Sequence, residues 1–155
     1  MIAIKPHHFV DIVTACADGR AEFAPHPYGH AVHSVAEELL ADRDVMLRIE
    51  FGADDICRPC RHNVDGLCDD IIDTSFRPAA PESKREYNLL IDQRWAQRLG
   101  LRQDDEMTAR NLCLCIRDSC RDLAEIYREV PPDRTAARQA KLRKGIAVFL
   151  GEPQP

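Results

Sequence analysis

Apolar positions recur along this 155-residue chain in several distinct rhythms. Ile2 and Ile4 alternate with small or polar residues, and Pro6 then stands where a first helical residue is tolerated. From there "HHFVDIVTACADG" predicts a helix ending near Gly19, with His7 and His8 in its first turn. Val32, Val35, Ala36 and Leu39 recur at helical spacing and predict a second helix over about 29–42. In "DVMLRIEFG", Val45, Leu47, Ile49 and Phe51 alternate against Arg48 and Glu50, the best strand pattern in the chain. Ser83 opens a capping box with Glu86, and Tyr87, Leu90, Ile91, Trp95 and Leu99 mark one face of a helix that stops at Gly100. "DDEMTARNLCLCIRDSCRDLAEIYREV" predicts helix broken near Asp118 and Ser119, with Pro131-Pro132 as its terminator. A basic helix over about 134–150 follows, and its Arg134, Arg138, Lys141, Arg143 and Lys144 read as a solvated face, with a patch for an acidic partner as the lesser reading.

Between Ala53 and about Pro81 no period is visible, and Pro59, Gly66, Pro78 and Pro81 punctuate a stretch long for an unstructured connection. A bound metal would supply the order that the apolar pattern does not. The elements together predict an α+β, mostly helical single domain with a small β element and a long cysteine-rich metal-binding loop. Residues 1–130 form the cysteine-rich part, and 131–155 a basic C-terminal helix and tail. A hydrophobic content of 45% over this length suffices for one core.

Charge and composition remove some function classes. Lys plus Arg number 21 against 26 Asp plus Glu, and aromatics are few, so the chain lacks the basic footprint and stacking platform of a nucleic-acid binder. No apolar run of about 18 residues suggests a membrane span, and "MIAIKPHHFV" has a Pro and two His where a signal peptide has its apolar stretch. A cytoplasmic protein is therefore expected. In that reducing compartment the seven cysteines do not read as a disulfide framework.

The cysteines fall in groups. Cys57, Cys60 and Cys68 share the segment "DDICRPCRHNVDGLCDD", Cys113, Cys115 and Cys120 form a later group, and Cys16 stands apart as a small buried hydrophobe. The Cys57/Cys60 pair lets two thiolates converge from a tight turn stiffened by Pro59, and Asp65-Gly66 supplies the reversal that returns Cys68 to the same point. Zinc would take two pairs and leave Cys68 and Cys113 unused. An iron-sulfur cluster fits better, because a four-iron cluster takes three thiolates from one loop and a fourth from a distant segment. Cys113 or Cys120 is the expected fourth ligand, with Cys120 favoured beside an expected helix start. Thiols without metal, structural or reactive, are the remaining reading. Of the histidines, His7 and His8 would bind an anionic substrate, move protons or ligate iron, or else simply form a polar first turn. His30 and His33 share a helix face and read as solvated, and His62 is placed to hydrogen-bond a cluster sulfur.

"IKPHHFV" at the start, a strand, "GADDICRPCRHNVDGLC" and a late cysteine group resemble a family of small uncharacterised bacterial and archaeal proteins suspected of binding iron-sulfur clusters. The resemblance covers roughly residues 2–120 and implies that His7 and His8 belong to one functional site with Cys57, Cys60 and Cys68. The chain departs from the family pattern at Asp11, where the family often has Cys, and in the spacing of its late cysteines. Asp11 would then be an oxygen ligand or a proton-handling group. The expected function is a redox or accessory iron-sulfur protein, more readily four-iron than two-iron, working with a redox partner protein. One alternative is a lyase or desulfidase acting on a small-molecule substrate at an open iron, with His7, His8 and Asp11 in acid-base roles. The other is a structural zinc module.

Overall fold

The architecture follows from a three-stranded sheet at one edge of a helical bundle. A computed structural model describes residues 1–19 and 23–153. Strand β1 (Ile2–Ile4) runs parallel to β2 (Met46–Ile49), which pairs antiparallel with β5 (Glu106–Thr108). Helix α1 (Pro6–Ala15) and α2 (Val32–Ala41) lie in the connection between β1 and β2. After β2 come a two-residue hairpin, β3 (Asn63–Val64) and β4 (Leu67–Cys68), then α3 (Lys84–Leu99), β5, α4 (Ala109–Ser119) and α5 (Pro132–Leu150). The molecule is thus an α+β, mostly helical single domain, as the sequence pattern predicts.

Most elements form for the reasons visible in the sequence. Pro6 occupies the first turn of α1, and a 3₁₀ turn over Cys16–Asp18 carries the helix to Gly19. The Ser83 hydroxyl accepts from Glu86 N–H at 3.3 Å, and α3 buries Tyr87, Ile91 and Trp95 before ending at Gly100. In β2, Leu47 and Ile49 are fully buried while Met46 faces outward. One core joins the layers, with Phe9, Trp95, Leu112 and Phe149 among its completely enclosed side chains. Phe9 meets Phe149 edge-on at 5.7 Å, and Trp95 Nε1–H donates to Tyr127 Oη at 3.2 Å.

The segment after Gly100 differs from the helix expected there. Glu106–Thr108 extends along β2, with Met107 opposite Leu47, because a free strand edge offers this stretch backbone partners. Thr108 then caps α4, its hydroxyl accepting from Asn111 N–H at 3.1 Å. The break near Ser119 is present, and Cys120 is the C-cap of α4. Pro131-Pro132 opens α5 rather than ending α4, with Pro132 in the first turn where its missing N–H costs nothing. Helix α5 is not solvated all round, since Leu142, Gly145, Ile146 and Phe149 enter the core against α1. Of the C-terminal tail, residues 154–155 lie outside the described residues.

Candidate metal centre

The aperiodic segment after β2 is held by its two aspartates. Asp55 completes the edge of β1: Ala3 N–H donates to its carboxylate at 2.8 Å, and its own N–H donates to the Ala3 carbonyl at 3.0 Å. Asp54 is entirely buried and accepts three times, from Lys5 N–H at 2.9 Å, Cys57 N–H at 2.9 Å and His8 Nδ1 at 2.7 Å. Ile56 is buried beside it, and its carbonyl receives Ala31 N–H. The chain then turns so that Cys60 N–H donates to the Cys57 carbonyl at 3.0 Å. At the hairpin tip Asp65 and Gly66 have φ of 52° and 83°, the pair of positive angles that a two-residue type I′ connection requires. That reversal sets Cys68 opposite Asn63. Cys57, Cys60 and Cys68 consequently line one cavity of about 480 Å³ and share a small recess in its wall with Lys5 and His62.

Helix α1 places His7 and His8 on the same cavity, each with Nδ1 held by a buried carboxylate. His7 Nδ1 lies 2.8 Å from Asp92 Oδ2, and its backbone N–H donates to the other oxygen of Asp92 at 2.8 Å. His8 Nδ1 lies 2.7 Å from Asp54, and the two imidazoles are 4.2 Å apart, centre to centre. With Nδ1 committed, Nε2 is the nitrogen left for a substrate or metal. The two rings are tuned apart. Burial opposes a charge on His7, but Asp92 outweighs it and raises the pKa; burial and the adjacent His7 lower that of His8 despite Asp54. Asp54 stays ionised: burial resists this, yet His8 and the Lys5 and Cys57 N–H groups hold it far below the usual carboxylate range. Burial, then Asp54, pushes the Cys57 thiol up to about 12, while Lys5 Nζ, 3.5 Å from the sulfur, favours its thiolate.

The far wall carries further polar groups. His62 Nδ1 is 2.7 Å from Asp69, its ring packs edge-on against Tyr28 at 4.4 Å, and its buried Nε2 has no partner among the described residues. It shares the small recess with Cys57, Cys60 and Cys68. His30 also lines the cavity rather than facing solvent, with a buried Nδ1 unpartnered among the described residues. Lys84 pairs with Asp70 at 2.9 Å. Asp11 sits on the rim, its carboxylate ion-paired with Arg138.

The late cysteines lie elsewhere. Cys113 is fully buried in the core and electrostatically close to Cys16, where burial holds its thiol up at about 12. Cys115 is exposed, and Cys120 sits by Arg143 at the carboxyl end of α4, so it gains nothing from a helix N-terminus. Neither Cys113 nor Cys120, the expected fourth ligands, lines the cavity, so the fold does not bring them together with the three loop cysteines there. Sequence reasoning also missed the two carboxylates that hold the histidines. Asp54 had a signal, standing in the Asp-Asp pair before the loop, but Asp92 had none on a helix full of charge.

His8, Asp54 and Cys57 form the three-residue group whose ligand atoms all lie within 4.8 Å of one another. Asp54, however, already accepts three hydrogen bonds through its two oxygens, so it acts as the support of His8 and the loop. The three loop cysteines form no such tight group among the described residues, although they face one space. Thiolates on one zinc at 2.3 Å would stand about 3.8 Å apart, whereas thiolates on separate irons of a cluster spread wider. The three loop cysteines thus offer soft donors in a space that two carboxylate-held imidazoles share. Searches against family models, curated proteins and solved structures found no match for this chain.

Proposed function

We propose that the chain holds an iron-sulfur cluster on Cys57, Cys60 and Cys68 and acts as a lyase-type enzyme on a small molecule bound in the same cavity. One observation carries the reading: three cysteines and two histidines, each held by a buried carboxylate, line one cavity, and no other cysteine among the described residues does. A cluster that only carries electrons has no need of an acid and a base group held ready beside it. A cluster held by three thiolates supplies, when bound, an iron open to an oxygen or sulfur of the substrate as a Lewis acid. Lys5 offsets thiolate charge at Cys57. His8, neutral and fixed by Asp54, takes a proton from substrate carbon through Nε2. His7, whose protonated form Asp92 favours, gives a proton to the departing group, so an unsaturated product and the protonated leaving group result. The early resemblance points to the same residues.

Anaerobic preparation with iron, sulfide and zinc analysis tests the metal: iron and sulfide in similar amounts are expected. Stoichiometric zinc without sulfide would sink the cluster and favour a single ion at His8 and Cys57, the second reading that the compact His8–Asp54–Cys57 group supports. Cys57→Ser, Cys60→Ser and Cys68→Ser should each lose iron, while Cys113→Ser and Cys120→Ser keep it. Electron paramagnetic resonance then separates enzyme from carrier, because only an open iron changes its spectrum when small hydroxy acids or thiols are added.

A further inference from the structure

A second chamber opens behind His7. It measures about 310 Å³, lies between α1, α3, α5 and the segment around Phe76, and shares His7, Asp11 and Asn88 with the cysteine-lined cavity. Its other walls bring three guanidinium groups together, from Arg77, Arg134 and Arg138. Each lies over an aromatic ring: Arg134 is 4.2 Å above Phe76, Arg77 is 4.6 Å above Tyr87, and Arg138 is 4.4 Å above Tyr127. Stacking occupies the faces of these groups and leaves their edges, which carry the N–H donors, for other partners.

Few partners are present. Arg138 pairs with Asp11 and interacts with the Tyr127 hydroxyl, but its Nε is buried without a hydrogen bond. Arg77 Nε donates to the Asp73 carbonyl at 2.8 Å. Arg134 makes no ion pair among the described residues, and the exposed Asp73 is the carboxylate near both Arg77 and Arg134. A charge excess in a partly enclosed, aromatic-floored space, with a buried donor left over, calls for an oxyanion. Packing alone would account for the stacked rings but not for the unpaired Nε.

We propose that this chamber is an oxyanion subsite that binds the carboxylate or phosphate group of a small molecule through Arg77, Arg134 and Arg138. Guanidinium edges match the planar face of either group with paired N–H donors. Because His7 and Asp11 line both spaces, a molecule anchored here extends past His7 toward the three cysteines. That the anchored molecule is the lyase substrate rests on the function proposed above; the anion site stands without it.

The experiment titrates the full chain with sodium phosphate and, separately, sodium acetate at constant ionic strength, following arginine Nε–Hε and histidine ring resonances. Saturable shifts at Arg77 and Arg138 beyond a sodium chloride control are expected, and the tighter of the two anions identifies the group. Arg134→Gln, at an exposed position, should weaken binding about tenfold, the loss of one charge-assisted contact. Arg77→Lys tests the loss of the paired donor geometry while retaining charge, and should also weaken it. Binding should survive Cys57→Ser, and Arg134→Gln should keep wild-type iron and sulfide, so this site and the metal centre fail independently. Shifts no larger than with chloride, or an Arg134→Gln protein that binds as wild type does, would overturn the subsite. Saturable binding that leaves the His7 ring unmoved would overturn its link to the cavity.

Discussion

Glu129 and Arg94 show how a single pair couples the bundle to pH. Arg94 donates through both terminal nitrogens to the Glu129 carboxylate, at 2.9 and 2.8 Å, and also to the Ile126 carbonyl at 2.7 Å. This bidentate pair ties α3 to the chain before α5, and the guanidinium bonds hold the Glu129 pKa below its ordinary value. The unfolded chain then binds the extra proton first as pH falls. Its stabilising effect is complete at neutral pH and is lost as pH drops below about 4.3 and through the lower folded value. Glu129→Gln should therefore lose stability at pH 7, by about 1–3 kcal/mol, and show a flatter acid limb. Urea midpoints measured between about pH 3 and 7 check both; parallel curves for the two proteins would contradict the pairing. The dyads of the cavity were only half legible at this scale. His7 and His8 are conspicuous in "PHH", but their carboxylates come from Asp54 and Asp92, 46 and 85 residues away.

Among the elements, the crossing of α1 and α5 carries the most pointed consequence. Gly145 is buried in α5 against α1, and a Cβ there would run into the Val13 carbonyl oxygen and backbone. Alanine would favour an isolated helix by about 1 kcal/mol, but overpacking against backbone costs about 1–3 kcal/mol or more, so Gly145→Ala should destabilise. A raised melting temperature in that variant would contradict the close approach. Since α1 carries His7 and His8, a displaced crossing should also disturb the cavity. The pattern of α5 in sequence showed its charges more readily than its core face, because Arg, Lys and Gln interrupt the apolar positions that meet α1. Strand β5 was hidden for a different reason. Three residues of "EMT" carry no alternation long enough to detect, and the free edge of β2 decides their conformation.

Across the whole molecule, the long loop is ordered by hydrogen bonds to the amino-terminal strand and helix. Asp54 gathers Lys5, His8 and Cys57, while Asp55 pairs with Ala3. Asp54→Ala should therefore expose the segment between about 53 and 70 to limited proteolysis more than Cys60→Ser does, since it leaves several donors unsatisfied at once. Equal cleavage in both variants would assign the order to the cysteines instead. The same carboxylate makes loop folding and site assembly one event, because the residue that anchors the turn also fixes the His8 ring.

The sequence by itself determined the local elements: the Pro6 start of α1, the Ser83 cap of α3, the alternation of β2 and the Asp65-Gly66 reversal. Each depends on neighbours within about one turn or one strand, so its cause is written in adjacent residues. It also singled out Cys57, Cys60, Cys68, His7 and His8, which the fold brings to one cavity. Only the tertiary structure decided that Cys113 belongs to the core, that Cys120 closes a helix away from the site, and that Asp54 and Asp92 hold the two imidazoles. Burial and pairing at these positions depend on how α1, α3 and the loop pack against each other, and no short window of sequence contains that information.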